Sequence, residues 1–289
     1  MIKKAHFFWS GKGMSWLRYL TLWSFRKFNP DWEATLYTSA VEWKRSPVWK
    51  DPPHKVNFIG RDWFPEVEKL GVKVASVDFE KIGFTNDAHG AHKSDFLRWY
   101  LLDTIGGFWS DLDILYFHPL PAGDIAPFQF SVTADPWPAT YYIAYVAAEP
   151  GTPITRALRR ESARQYREDQ YQSIGSAMFH SLYPDARRYH TYHPGLRVGI
   201  IPAKANIPVP WGDVGHFFAG HCGVDVDLAD SIGLHWFGGS DLAGAWENLL
   251  TPETVGKHNS LVCDVIEALM ADKPLPLYWS GQPVAGAVA

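Results

Sequence analysis

The chain has 289 residues, of which 46% are hydrophobic and 20% charged, the composition of a globular protein rather than a disordered, collagen-like or membrane chain. Its 27 Lys and Arg against 31 Asp and Glu leave a formal net charge of -4, so no global positive field draws it to nucleic acid or an anionic membrane. Two cysteines, Cys222 and Cys263, are too few for a disulfide framework and form no C-x-x-C pair, which suits a reducing cytosol and a cytoplasmic location.

At the start, Phe7-Phe8-Trp9 stops at Ser10-Gly11, too short for a signal-peptide core. The longest apolar stretch, Tyr141 to Ala148, falls far short of the roughly 18 to 20 residues of a membrane helix, so no transmembrane segment is expected. Ala5 to Trp9 reads as a buried strand, and the apolar spacing of Trp16, Leu17, Leu20, Trp23 and Phe28 as a helix that Asn29-Pro30 stops. Strands follow at Glu33 to Tyr37 and Val72 to Val77. This alternation opens an α/β sheet.

Asn86-Asp87 offers an N-cap for a helix running to about Ile105, ended by Gly106-Gly107. Phe108 to Tyr116 reads as a strand interrupted by two aspartates. Further strands are expected at Phe130 to Ala134, Tyr141 to Ala147, Arg197 to Ile201 and Leu234 to Phe237, and helices at Thr152 to Glu168 and Ser173 to Leu182. The reading is a single domain over 1–280, in a first half (1–120) and a second half (121–280), with a frayed tail (281–289).

The chemistry is concentrated in Lys93-Ser94-Asp95-Phe96-Leu97-Arg98, followed by Gly106-Gly107-Phe108-Trp109-Ser110-Asp111-Leu112-Asp113. On a strand, residues two apart face the same side, so Asp111 and Asp113 are expected to point together. Two convergent carboxylates make a hard oxygen site for Mn²⁺ or Mg²⁺, whose remaining positions a diphosphate can fill. A second Asp-x-Asp, Asp225-Val226-Asp227, lacks the upstream helix and glycine pair and reads as a solvated loop.

The pattern Ser94-Asp95-x-x-Arg98, then Gly106-Gly107-x-x-x-Asp111-x-Asp113, resembles the core of the DXD-containing retaining glycosyltransferases of family 32 and the related clostridial glucosylating toxins. His6 to Gly11 resembles their first strand, and the resemblance covers about the first 120 residues. It implies a GT-A fold, that is, a Rossmann-like mixed sheet flanked by helices. It also implies transfer of a hexose or pentose from a nucleotide sugar, a UDP-sugar above all, with Mn²⁺ or Mg²⁺ and with retention at the anomeric carbon. By position, Trp9, Ser10, Gly11 and Gly107 would line the donor, with Trp9 on the base. Asp95 and Arg98 would contact the donor sugar and diphosphate. Asp111 would bind ribose or sugar hydroxyls and support the metal that Asp113 ligates. Trp109-Ser110 stands where the family often has Tyr-Leu. His235, in Gly233-Leu234-His235-Trp236-Phe237-Gly238-Gly239, stands where related enzymes place a third ligand.

Each residue has a structural alternative. Asp95 and Arg98, three apart on a helix, could be a surface ion pair; Trp9 could be core; His235 could be a hydrogen-bonded structural histidine. The pairs His89/His92, His190/His193 and His216/His221 with Cys222 could build a zinc hydrolase, but none has specific ligand spacing. A GT-A-like domain that binds nucleotide or glycan without turnover is the non-enzyme alternative. The acceptor is left open among glycan, lipid-linked sugar, protein and modified nucleobase.

Overall fold

In the computed structural model the described residues are 2–42, 57–121, 125, 127–136, 139–185, 188–218, 226–275 and 278–279. The elements in chain order are β1 (Lys4–Trp9), α1 (Trp16–Phe28), β2 (Glu33–Ser39), β3 (Lys73–Val77), α2 (Gly90–Thr104), β4 (Gly107–Ser110), β5 (Ile114–Tyr116), β6 (Phe130–Pro136) and β7 (Ala139–Ala148). They continue with α3 (Pro153–Gln165), α4 (Ser176–Leu182), α5 (Tyr189–Tyr192), β8 (Val198–Ile201), α6 (Gly215–Phe218), β9 (Val226–Asp227), β10 (Gly233–His235), α7 (Asp241–Leu249), α8 (Leu261–Met270) and β11 (Tyr278–Trp279). Residues 281–289, read as a tail, lie outside the described residues, as do His221 and Cys222.

Seven strands form one mixed sheet in the order β3-β2-β1-β4-β7-β6-β8. The first four are mutually parallel, β7 runs antiparallel to β4 and β6, and β8 is parallel to β6. This is the α/β sheet expected from the alternating elements, and the Rossmann-like mixed sheet that the resemblance implies. A central strand covered on both faces must be apolar throughout, which is why β1 reads as a continuous run. Phe7 and Phe108 pack with Phe25 of α1 on one face, whereas Phe8 and Trp109 pack with Phe96 of α2 on the other. A third apolar cluster joins Trp16, Leu17 and Leu20 of α1 to Trp236 and α8.

The chain leaves β1 into α1 and β2, which extend the sheet one way, whereas β4 is laid on the other side of β1. The crevice at the carboxyl ends of β1 and β4 is therefore a topological switch point, where open α/β sheets bind their ligands.

Local chemistry shifts several expected boundaries. α2 starts at Gly90, capped by His89, whose Nδ1 accepts from the Ala91 N–H. Asn86 does not cap it, because its side chain accepts from the Phe79 N–H and donates to Asp78. α4 starts at Ser176, where Gln172 Oε1 accepts from the Ser176 N–H. α3 keeps its Thr152 cap but stops at Gln165. The expected strand from Phe108 to Tyr116 is two strands: β4 ends at Ser110, and β5 leaves the large sheet to pair antiparallel with β10. β10 stops at His235 because Phe237 adopts a left-handed φ of 49°. Val226–Asp227, read as loop, is the strand β9 paired with β11, while Asp225 lies outside the described residues.

Candidate active site

Asp111 and Asp113 flank the break between β4 and β5, and there they part. The Asp111 carboxylate accepts through Oδ1 from Arg98 Nη2 at 2.8 Å and from Trp109 Nε1 at 2.7 Å. Asp113 turns toward β10: its Oδ2 accepts from the Gly238 N–H at 2.8 Å, and its Oδ1 lies 3.1 Å from His235 Nε2. The two carboxylates are thus not presented on one strand face, and the expectation based on strand alternation is corrected. A turn, with each aspartate tied to a different partner, replaces it.

Arg98 is buried and bound on two sides, with Nη1 donating to Asp95 Oδ1 at 2.7 Å and Nη2 to Asp111. Its guanidinium carbon lies 5.1 Å from the Trp109 ring and 5.5 Å from the Trp99 ring. The surface-ion-pair alternative for Asp95 and Arg98 is therefore excluded. Burial pushes the Asp95 carboxyl above its usual range despite the adjacent Arg98. Burial also opposes ionisation of Asp113, but the His235 ring, Arg18 and the Gly238 N–H outweigh it and hold that carboxyl low, at about 2.

Arg18 is a second buried cation that sequence reasoning missed. It sits on the apolar stripe of α1 and reaches α7, where Nη2 donates to Glu247 Oε1 at 2.9 Å and Nε to Oε2 at 3.1 Å. Ser15 Oγ donates to the same Oε2 at 2.6 Å. Arg18 also donates to the carbonyls of Leu112 and Gly238, the two loops that carry Asp113 and its backbone donor. The available signal was a charged residue at a helix position whose neighbours Leu17, Leu20 and Leu22 are all apolar.

Trp9 closes β1 and is half-buried, with the Arg18 guanidinium over its ring at 4.9 Å. Its indole Nε1 is buried and has no hydrogen-bond partner. A side chain at Gly11 would meet Trp9 Cζ2 at 2.3 Å, and one at Gly90 would meet Ser10 Oγ at 2.1 Å. Ser10 and Gly11 are therefore packed close between the β1 end and the start of α2.

Three connected chambers run along the switch point. The first, about 310 Å³, lies between Trp9, Ser10, Gly11, Thr38, Asp62 and Lys93. The second, about 360 Å³, shares Trp9, Ser10 and Gly11 with it and reaches Asp111 and Asp113. The third, about 690 Å³, shares Asp111 and Asp113 and continues past Asp95, Arg98 and His235 to Trp211. The groove thus brings together Trp9, Ser10, Gly11, Asp95, Arg98, Asp111, Asp113 and His235. Gly107 is not part of it. With φ 106° it opens β4 at the opposite end of the strand, where an added Cβ would meet the Lys4 carbonyl at 2.3 Å, so its need for glycine is backbone packing rather than donor contact. The loop Ser173 to Ser176 does reach the site: a Cβ at Gly175 would meet Asp95 Oδ2 at 2.8 Å.

The donor set suits a hard divalent cation in part. Asp113 Oδ1 is a buried oxygen with no well-aligned hydrogen bond, and it faces an imidazole nitrogen, a pairing that Mn²⁺ accepts. Among the described residues no three His, Cys, Asp or Glu side chains converge as a ready-made metal site, because Asp111 is turned to Arg98. The pair Asp113 and His235 would therefore hold the ion, and a diphosphate would complete its shell. Among the described residues, which exclude His221 and Cys222, the zinc-hydrolase alternative finds no such cluster either. His89 caps α2, His92 Nε2 is bonded to the Gln170 carbonyl, and His193 Nε2 to the Tyr183 hydroxyl.

No family model and no curated protein matches the chain. Among solved structures it is similar to the PaToxG glycosyltransferase, with 16% identity over 68% of this chain and 71% of that one and a TM-score of 0.45. It is also similar to the glycosyltransferase GlyE of Streptococcus pneumoniae TIGR4, with 10% identity over 96% of this chain and 66% of that one and a TM-score of 0.45. A third is the galactosyltransferase LgtC in complex with donor and acceptor sugar analogues, with 14% identity, 70% and 74% covered and a TM-score of 0.34. No helix among the described residues is long and apolar enough to cross a membrane.

Proposed function

We propose that the protein is a metal-dependent glycosyltransferase that moves a sugar from a nucleotide sugar, most readily a UDP-sugar, to an acceptor hydroxyl with retention at the anomeric carbon. The observation that carries the reading is the groove at the β1–β4 switch point, which joins an aromatic chamber at Trp9 to the Asp113–His235 pair and the Arg98 cluster. A nucleotide diphosphate sugar has the same order of parts: flat base, anionic bridge, polyol.

In this reading Trp9 stacks on the base. Asp113 and His235 hold Mn²⁺ or Mg²⁺, whose charge, when bound, neutralises the departing diphosphate. Asp95, fixed by Arg98, faces the donor sugar, and Arg98 is kept cationic by two carboxylates. The anomeric C–O bond to the diphosphate breaks, the acceptor oxygen bonds to that carbon, and the acceptor proton leaves on the diphosphate. No separate general base is required. Glu247, a base by residue type, is bound to Arg18 and Ser15, which leaves it unsuited to that role.

The test is a thermal-shift panel of UDP-, GDP- and CMP-sugars with and without Mn²⁺, paired with donor hydrolysis. Ligand at about 100 times its Kd stabilises by roughly 2.7 kcal/mol, several degrees for a domain of this size. UDP-sugars should shift the transition only with Mn²⁺ and be slowly hydrolysed. Binding without any hydrolysis or transfer would instead support a non-catalytic nucleotide-binding domain.

A further inference from the structure

Beyond the diphosphate end, the 690 Å³ chamber has a wall that the other two chambers lack: Trp211, Phe237, Thr140, Tyr142 and Asp241. Trp211 is 53% exposed, unusual for so large an apolar ring, and opens a single 3₁₀ turn after Pro210. It is nonetheless held, because its ring packs edge-on against Phe237 with centroids 5.3 Å apart and planes at 87°. Phe237 in turn lies 4.2 Å from the His235 ring. Two ring contacts thus connect the exposed indole to the Asp113–His235 pair. Phe237 has φ 49°, a conformation a bulky side chain adopts only when its surroundings impose it, and such strain collects at functional sites.

We propose that Trp211 is the stacking platform of an acceptor subsite for an uncharged saccharide. The inference rests on the glycosyltransferase reading and deepens it by naming the acceptor class. An exposed indole with hydroxyl and carboxylate neighbours matches a pyranose, which offers an apolar C–H face and equatorial hydroxyls. The charge of the chamber selects among acceptors. Four carboxylates line it, those of Asp95, Asp111, Asp113 and Asp241, against one guanidinium, that of Arg98, which two of them already bind. Past the Arg98 cluster and the Asp113–His235 pair, the lining residues around Trp211 include no Lys or Arg, so nucleic-acid phosphates and acidic peptides find no cation to pair with there, whereas a neutral polyol needs none.

Transfer breaks the anomeric C–O bond of the donor and forms the bond to the saccharide oxygen, with its proton leaving on the nucleotide diphosphate. The experiment supplies the full-length protein with Mn²⁺, the UDP-sugar selected by thermal shift, and separate neutral probes: methyl glucoside, methyl galactoside, methyl mannoside, lactose, maltose and cellobiose. Wild-type protein should glycosylate at least one probe. Trp211→Ala should raise the KM for that probe by about tenfold, the equivalent of 1.4 kcal/mol, with a smaller change in the KM for the donor. Trp211→Phe, which keeps a ring, should recover most of the loss. Equal acceptor KM values in wild type and Trp211→Ala would overturn the proposal, as would transfer to an oligonucleotide or peptide but to no saccharide probe. Donor hydrolysis by the wild-type protein separates the two readings. Hydrolysis without saccharide transfer sinks the subsite alone, whereas absence of both UDP binding and hydrolysis sinks the glycosyltransferase reading beneath it.

Discussion

Arg18 and Glu247, 229 residues apart, form a buried pair with Nη2 to Oε1 at 2.9 Å, and the guanidinium lies between the rings of Trp9 and Trp236 at 4.9 and 5.0 Å. The pair ties α1 to α7, and its remaining donors hold the Leu112 and Gly238 carbonyls. Removing one partner of a buried pair leaves a desolvated charge, a loss of about 3 to 5 kcal/mol. Glu247→Ala is expected to fall in that range in urea unfolding, and Glu247→Gln, which keeps an acceptor oxygen, should lose less. Equal stability of Glu247→Ala and wild type would remove the pair from any structural role.

Asp113→Asn should separate metal binding from folding. The amide keeps an oxygen for the Gly238 N–H but presents a neutral, weaker ligand beside His235. The expected outcome is a folded variant of lower melting temperature without ligand, because the carboxylate that His235, Arg18 and the Gly238 N–H hold ionised is gone, with no Mn²⁺-dependent stabilisation by UDP and with loss of transfer. Retained Mn²⁺ dependence would move the ion away from Asp113.

Trp9→Ala is expected to weaken UDP and UDP-sugar by the same factor, about 1 to 3 kcal/mol for base–aromatic stacking. Isothermal titration calorimetry on a variant checked by circular dichroism measures it. Unchanged UDP affinity in a folded variant would assign Trp9 to packing under Arg18 alone.

Acid should unfold the protein partly through His6. Burial drives its pKa from 6.5 down to about 4, against the hydrogen bond with the Gly106 carbonyl, which favours the charged ring. Between those values the unfolded chain takes up a proton that the folded chain refuses. Stability is therefore full above pH 6.5 and falls as pH drops toward 4, by up to about 3 kcal/mol. Urea midpoints from pH 7 to 4.5 should show a steeper decline in wild type than in His6→Gln.

The stereochemical outcome is expected to be retention, an α-linked initial product from an α-linked UDP-sugar. Early-time proton NMR of the anomeric signal reads it directly, and a β-configured initial product would refute retention while leaving the metal pair standing.

The strands were legible because apolar runs such as Ala5 to Trp9 alternate with amphipathic helices; their order in the sheet was not, because it is set by pairings between distant segments. The Asp95, Arg98 and Asp111 cluster was legible because its members lie within 17 residues on consecutive elements. The break between Asp111 and Asp113 was not, since strand alternation describes one continuous ladder, whereas here the chain turns from β4, bonded to β7, into β5, bonded to β10. Arg18, Glu247 and Trp211 were not legible either. Arg18 and Glu247 meet across much of the chain, and Trp211 meets Phe237 only through the fold, contacts that leave no mark in local spacing beyond a charged or bulky residue on an unexpected face.

The short ribbon of β5 and β10 has a bearing on how the protein comes to life. His235 is registered opposite Ile114, the residue after Asp113, so the Asp113 and His235 side chains meet only when a segment of more than a hundred residues has been closed into a loop. Closing a loop that long is an entropic toll that successive contacts must repay, and it is met late. A nascent chain that has laid down β1 to β5 already carries Trp9, Arg98 and Asp113 but not His235, the other half of the pair. On the proposed function, competence to hold a charged donor thus arrives with completion of the fold.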